Sequence, residues 1–137
     1  MNRRAVLLSP LLLCFLPVMV MAEPTISAKI ATTEWLKKLD AADYSGTWEA
    51  AAAMFKSAVS AQSWQQASQS LRGPLGTVQS RSDKSATFTK TLPGVPDGQY
   101  VVIQFNTTFE NKAAAIETVT TALDPDGTWR VAGYFIK

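Results

Sequence analysis

The last third of the chain carries the clearest pattern, an alternation of apolar and polar residues that predicts antiparallel strands. In residues 100–110 one face carries Val101, Ile103, Phe105 and Phe109, and the other carries Tyr100, Val102, Gln104, Asn106 and Thr108. A period of two is the signal of a strand with one buried face. Residues 116–123 are rich in β-branched side chains, which suit a pleated surface, so we expect a second strand there.

A tight turn and a further strand end the chain. Residues 124–127 read Asp-Pro-Asp-Gly, and this turn is favoured because Pro presets φ and Gly adopts a positive φ at little cost. In the strand that follows, one face is expected to carry Trp129, Val131, Gly133 and Phe135, and the other Arg130, Ala132, Tyr134 and Ile136. The last two strands are therefore predicted to form a hairpin.

Before the strands, the apolar spacing changes to a helical period. We predict a first helix over residues 25–40, a second capped by Asp43, and a third capped by Ser60 and ended by the Gly-Pro-Leu-Gly of residues 73–76. Their apolar stripes are Ile26, Ile30, Leu36 and Leu39; then Trp48, Ala52, Phe55 and Val59; then Trp64, Ala67 and Leu71. Such stripes are typical of helices that bury one face.

The order of the elements predicts the fold class. Residues 77–92 are polar and β-branched, and we interpret them as a long or broken edge strand that bends or loops out at residues 81–84. Helices followed by strands indicate an α+β protein. We therefore expect three N-terminal helices packed on one face of a four-stranded antiparallel sheet.

The N-terminus has the features of a signal peptide. Arg3 and Arg4 precede an apolar run over residues 5–21, and small residues favour cleavage after Ala22. The alternative is an uncleaved membrane anchor, against which Pro10 and Pro17 argue. We expect residues 1–22 to be removed, leaving residues 23–137 as a single α+β domain that is periplasmic or secreted and has no membrane partner.

Charge and cysteine content exclude several classes of function for that domain. Without Arg3 and Arg4, the 13 Lys and Arg fall to 11 and balance the 11 Asp and Glu, so nothing favours nucleic acid as a partner. Cys14 is the one cysteine and leaves with the signal segment, and the chain has no histidine. Cys or His nucleophiles and Cys/His metal sites are therefore excluded, and we expect neither metal nor cofactor.

Several blocks of the sequence resemble a known family. They are residues 48–55, 72–76 (RGPLG), 92–94 (LPG), 96–102 (PDGQYVV), 109–112 (FENK), 117–120 (ETVT) and 126–134 (DGTWRVAGY). These blocks resemble the bacterial secreted family catalogued as domain of unknown function 4019. The resemblance implies a compartment and an architecture, but it supplies no catalytic residues. More distantly, the order of helices and strands resembles the cystatin-like superfold, which includes the nuclear-transport-factor-like and ketosteroid-isomerase-like cones.

A cone enzyme would need a carboxylate base and hydroxyl donors in a dry pocket. The residues that can supply them are Tyr100, Tyr134, Glu117, Asp40 and Asp43. The alternative is structural. Asp40 and Asp43 then end and cap helices, and Glu117 pairs across the sheet with Arg130 or Lys112.

Aromatic and polar side chains suggest a binding surface instead. Trp35 lies off the main helical stripe and is expected to be partly exposed, whereas Trp48, Trp64 and Trp129 are expected in the core. The row of Tyr100, Gln104, Asn106 and Thr108 could bind a polar ligand or peptide, although a solvated sheet face is commonly polar without further purpose. Arg72 and Arg81 could form an anion site with the backbone of residues 73–76, but the signal is weak. The better interpretation of this segment is that it ends the helix.

These observations favour a non-enzymatic binding or interaction module whose partner is an unknown protein or small ligand in the periplasm. The residues of the possible ligand or partner surface are Trp35, Tyr100, Gln104, Asn106, Thr108, Glu117, Arg130 and Tyr134. Two alternatives stay open: a small-molecule enzyme of the ketosteroid-isomerase-like cone type, and a structural accessory of a cell-envelope complex.

Overall fold

The computed structural model of the protein describes residues 9–15 and 23–137. Residues 9–15, part of the expected signal peptide, adopt neither helix nor strand, and the expected cleavage point after Ala22 lies outside the described residues. Among the described residues, no helix combines the length and apolarity needed to cross a bilayer.

Four helices come first: α1 (Pro24–Asp40), α2 (Tyr44–Glu49), α3 (Ala53–Ala58) and α4 (Ala61–Arg72), followed by a 3-10 turn (Gly73–Leu75). The predicted caps are confirmed, since Asp43 accepts from the Gly46 N–H and Ser60 from the Ser63 N–H. The prediction of one continuous second helix was wrong. Ala52 is extended and its N–H donates to the Val131 carbonyl at 2.7 Å, so here the backbone bonds to a strand instead of continuing the helix.

The predicted helical stripes are confirmed only in part, since Leu36, Leu39, Phe55 and Trp64 are buried but other members are not. Ile26 and Ile30 are 53% and 61% exposed, and Leu71 also lies at the surface. α1 buries Ala28, Thr32, Trp35, Leu36 and Leu39, and α4 buries Trp64, Ser68 and Arg72. The large aromatic rings explain the change, because Trp35 and Trp64 lie 6.0 Å apart and Phe55 meets Trp64 edge-on at 5.0 Å.

The four strands form one antiparallel sheet in the order β1 (Val78–Thr89), β2 (Tyr100–Phe109), β3 (Lys112–Leu123) and β4 (Trp129–Ile136). The helices contact one face of it, so the predicted α+β class is confirmed, with four helices where three were predicted. We call the helix-covered side the core face and the opposite side the outer face. β1 is an unbroken edge strand with two register shifts, so the loop predicted at residues 81–84 is absent.

A bulge in β4 reverses the predicted faces of its second half. Thr121 pairs with Val131, but Thr120 pairs with Gly133, which leaves Ala132 unpaired. One extra residue flips the alternation beyond it. Val131 and Tyr134 therefore both lie on the core face, while Phe135 moves to the outer face, where it pairs with Thr118 and is 55% exposed.

The main core lies between the helices and the middle strands, and it includes Trp35, Leu36, Leu39, Val101, Ile103, Phe105, Val119 and Val131. A smaller cluster covers one end of the outer face, where Leu92 and Val95 pack against Tyr100 and Ala122. The other end of the outer face is left open.

Candidate functional site

Two parts of the molecule qualify as a functional site, and the first is a group of hydrogen-bonded charged and polar side chains between the helices and the sheet. We call it the charge cluster. It consists of Asp40 at the end of α1, Arg72 at the end of α4, Arg81 on β1, Glu117 on β3 and Tyr134 on β4.

Glu117 is the centre of the charge cluster and is fully buried. Arg81 donates to both of its oxygens, from Nε to Oε1 at 2.7 Å and from Nη2 to Oε2 at 3.2 Å. The Thr107 hydroxyl donates to Oε1, and the Tyr134 hydroxyl donates to Oε2. Each carboxylate oxygen therefore has two donors, and the side chain is held as a fixed acceptor.

Asp40 joins the two arginines. It accepts from Arg81 at 2.8 and 3.0 Å and from Arg72 Nη2 at 2.9 Å. Burial opposes ionisation of this carboxyl, but the hydrogen bonds and charges of the two guanidinium groups outweigh it and hold its pKa below the usual value of 3.8. Two carboxylates thus face two guanidinium groups, and their formal charges cancel.

The other members of the charge cluster are also largely shielded from solvent. Burial, with the neighbouring Glu117 charge, raises the pKa of the Tyr134 phenol above its usual value of 10. Burial disfavours the charged form of Arg81, but its bonds to Asp40 and Glu117 raise its pKa overall. The guanidinium of Arg72 lies 4.8 Å over the Phe109 ring, and its buried Nε and Nη1 have no partner among the described residues.

The predicted partners of Glu117 were wrong. Arg130, near the start of β4, is paired with Asp124 and Asp126 of the preceding turn, each at 2.9 Å. Lys112 pairs with Phe109 at the β2–β3 connection, away from Glu117. Because residues 81–84 were expected to bend or loop out, Arg81 was not predicted as the partner of Glu117. In the structure its side chain points from the edge strand to the core face and bonds to Glu117.

The second part is the uncovered end of the outer face, which we call the open face. Its members come from all four strands and lie side by side in the register: Ser80, Ser82, Ser85, Gln104, Asn106, Thr108, Ile116, Thr118, Phe135 and Lys137. A shallow depression of about 440 Å³ lies at its end, lined by Ser82, Asn106 and Ile116 among others.

The structure divides the predicted polar row. Gln104, Asn106 and Thr108 lie on the open face, and Gln104 Nε2 donates to Thr118 Oγ1 at 3.2 Å. Tyr100 does not belong to it, because it is 5% exposed and its hydroxyl donates to the Pro96 carbonyl. The covering loop of residues 90–99 therefore removes Tyr100 from any solvated surface.

Trp35 was also placed wrongly, since it is only 2% exposed. Its indole Nε1 donates to the Thr47 carbonyl at 2.9 Å, and Trp64 Nε1 donates to the Thr47 hydroxyl at 2.8 Å. Trp64 is buried as predicted, while Trp48 and Trp129 are half-buried against the core. Trp35 and Trp64 thus stabilise the helices, whereas Trp129 lines a surface depression with Ile30 and Thr128.

The sequence did not predict that Thr107 bonds to Glu117 or that Phe135 lies on the open face. It predicted roles for Asp40, Arg72 and Arg81 that differ from their places in the charge cluster. One signal was present for Arg81, which is the one arginine in a polar strand. The face to which its side chain points, however, depends on the register shifts of β1. Phe135 was missed because the bulge at Ala132 reverses the alternation beyond it, although Gly133 beside the bulge was a signal, since an isolated glycine in a strand suggests a bulge.

Comparisons with known proteins give a family and a fold. The family model described as "Protein of unknown function (DUF4019)" matches residues 31–134. Among solved structures, the chain is similar to the 1.8 Å structure of Aln2 from a Streptomyces species, with a TM-score of 0.52, 12% identity, and coverage of 86% of this chain and 93% of that one. At this identity the likeness is one of fold alone. The comparison with curated proteins gave no match.

Proposed function

Because the chain belongs to the family of proteins of unknown function DUF4019, we propose its function from the geometry of its own residues: it is a non-enzymatic binding module, periplasmic or secreted, that engages its partner through the open face.

The observation that carries this proposal is that both carboxylate oxygens of Glu117 are already hydrogen-bonded within the protein. A general base needs a free lone pair within reach of the substrate proton. Both oxygens of Glu117 are already bonded by Arg81, Thr107 and Tyr134, and none of its surface is exposed. The alternative of a cone enzyme acting through this carboxylate therefore loses its best candidate base.

The composition of the open face supports binding. Solvated sheet faces usually carry charged side chains, whereas the centres of interfaces are depleted of them. On the described open face, Lys137 at the β4 edge is the one charged side chain among hydroxyls, amides and an exposed Phe135. This surface suits a neutral partner.

The N-terminal sequence supports the compartment. Arg3 and Arg4, the apolar run and the small residues up to Ala22 are the pattern of a cleaved signal segment.

Site-specific photo-crosslinking in cells tests the proposal. A photo-reactive amino acid replaces Asn106, which is exposed on the open face, and a matched variant carries it at Lys38, which is exposed on α1. We expect adducts with cell-envelope material from position 106 and none from position 38. Equal labelling, or labelling from position 38 alone, contradicts the proposal. A metabolite whose turnover is lost in a folded Glu117→Gln variant would show an enzyme instead.

A further inference from the structure

We propose that the ligand of the open face is a neutral oligosaccharide of β-linked pyranose units lying across the strands. This inference rests on the proposed function and names the chemical class of its ligand.

The charge of the open face selects a neutral ligand. The residues that define this face include no Asp, Glu or Arg, and Lys137 stands alone at the edge. The acidic side chains of β1 and β3, Asp83 and Glu117, both point to the core face and are paired there. An anionic or cationic ligand would find no compensating group at the centre of the open face.

The polar groups of the open face match sugar hydroxyls. A hydroxyl donates and accepts, and an amide offers both functions at fixed positions. Gln104 and Thr118 are bonded to each other, but the exposed side chains of Ser80, Ser82 and Asn106 bond to no other described residue. Their donors and acceptors are therefore free to form hydrogen bonds with a ligand that also carries donors and acceptors.

Phe135 supplies the apolar contact that a pyranose ring needs. It is 55% exposed and pairs with Thr118, one row along from the Ile116 and Lys137 pair. An aromatic face is electron-rich and attracts the polarised C–H groups on the flat side of a sugar ring. The bulge at Ala132 places this ring on the outer face, next to the free polar groups instead of in the core.

The spacing of the strands fits the repeat of such a chain. Neighbouring strands lie about 4.8 Å apart, which is close to the length of one unit in an extended β-linked pyranose chain. The row Ser82, Asn106, Ile116 and Lys137 crosses all four strands. A ligand lying along this row places one sugar unit over each strand.

Titration of the purified full chain with tetrasaccharides tests the inference. The probes are cellotetraose and tetra-N-acetylchitotetraose, which are neutral, β-linked and extended, and maltotetraose, which is neutral, α-linked and curved. Calorimetry measures affinity, and amide chemical shifts locate the site. We expect binding of one or both β-linked probes, with shifts on the open face and at least about tenfold weaker binding of maltotetraose.

Variants tie the binding to the named residues. Phe135→Ala and Asn106→Ala are each expected to weaken binding by about tenfold without loss of folding. Phe88→Ala is the matched control, because Phe88 is also a partly exposed β-strand phenylalanine, but it pairs with Val101 on the core face. An equal loss in Phe88→Ala, or shifts centred on the helices, overturns the inference.

The outcomes separate the two proposals. If no tetrasaccharide binds while position 106 still crosslinks and position 38 does not, the ligand class is wrong and the binding module stands. If neither occurs, both are wrong. A dimer in sedimentation equilibrium that Phe135→Glu dissociates would assign the open face to a second copy of the chain and overturn the saccharide.

Discussion

Arg81 and Glu117 lie on strands that are not neighbours, yet their side chains are bonded at 2.7 Å. β2 runs between them, and Arg81 pairs with Thr107 of that strand in the register. Its guanidinium reaches over Thr107 to the carboxylate on β3, which ties the edge strand to the centre of the sheet. Neither side chain is more than 17% exposed, so this pair is screened little by solvent.

A double-mutant cycle on this pair should show strong coupling. Arg81→Gln leaves the buried Glu117 without its ion-pair partner and is expected to lower the free energy of unfolding by about 3–5 kcal/mol, whereas Glu117→Gln leaves Arg81 paired with Asp40 and is expected to cost less. The double variant should cost less than the sum, by about 0.5–3 kcal/mol. Urea unfolding measures all four proteins. Asp126→Asn, in the exposed pair with Arg130, is the control and should change stability little. Additive losses would contradict the buried pair.

Asp40 should make the protein sensitive to acid. Its pKa is lower in the folded state than the usual 3.8, so the folded protein binds fewer protons than the unfolded chain in this range. Its contribution to stability is therefore present above about pH 4 and is lost as pH falls through the folded pKa. Urea midpoints between about pH 5 and 2.5 should fall more steeply in the wild type than in Asp40→Asn.

The control for that experiment is Asp126, whose bonds to Arg130 lower its pKa to about 2 while it remains exposed. Asp126→Asn should remove its own part of the acid dependence and leave that of Asp40 intact. Identical slopes in the wild type and in Asp40→Asn would show that the ion pairs of Asp40 do not persist in solution.

Tyr134 should make the protein sensitive to alkali. Burial raises the pKa of its phenol above 10 in the folded state, so stability is full below about pH 10 and declines as the unfolded chain begins to release this proton. Absorbance at the phenolate band should show that the Tyr134 phenol is protected until unfolding. Tyr134→Phe should remove that delayed step and leave the remaining titration unchanged. A native titration that loses amplitude in this variant would contradict the assignment.

Replacing Trp64 or Trp48 by alanine should lower the free energy of unfolding by different amounts. Trp64 is 7% exposed and bonded to Thr47, so Trp64→Ala is expected to cost about 3–5 kcal/mol. Trp48 is half-buried near the end of the short helix α2, and Trp48→Ala is expected to cost less, about 1–3 kcal/mol. Urea unfolding with tyrosine and tryptophan fluorescence compares them. Equal losses would indicate that residues 44–59 form the continuous helix first predicted.

The N-terminus can be tested directly. We expect the exported protein to begin at Glu23, because the residues before it have the pattern of a signal peptide. Intact-mass spectrometry of the protein from a periplasmic extract measures this. A mass that includes residues 1–22 would contradict cleavage and restore the alternative of an anchor.

The sequence determined most of the elements and their order. The alternation in β2, the Asp-Pro-Asp-Gly turn and the caps at Asp43 and Ser60 all depend on residues close to each other in the chain, and each is present in the structure. A local pattern is sufficient there, because strand pleat, turn dihedrals and capping bonds are decided within a few residues. The α+β class follows from the same local signals.

Only the tertiary structure decided which side chains meet. The bulge at Ala132 moved Phe135 to the outer face, and the register shifts of β1 turned Arg81 toward Glu117. Trp35 is core because Trp64 and Thr47 pack beside it, and it shares a helical stripe with Ala28, Thr32, Leu36 and Leu39 that differs from the stripe predicted through Ile26 and Ile30. These outcomes depend on partners from distant elements. A periodic pattern assumes an unbroken ladder and a single buried stripe, and one unpaired residue or one distant aromatic ring is enough to reverse a face.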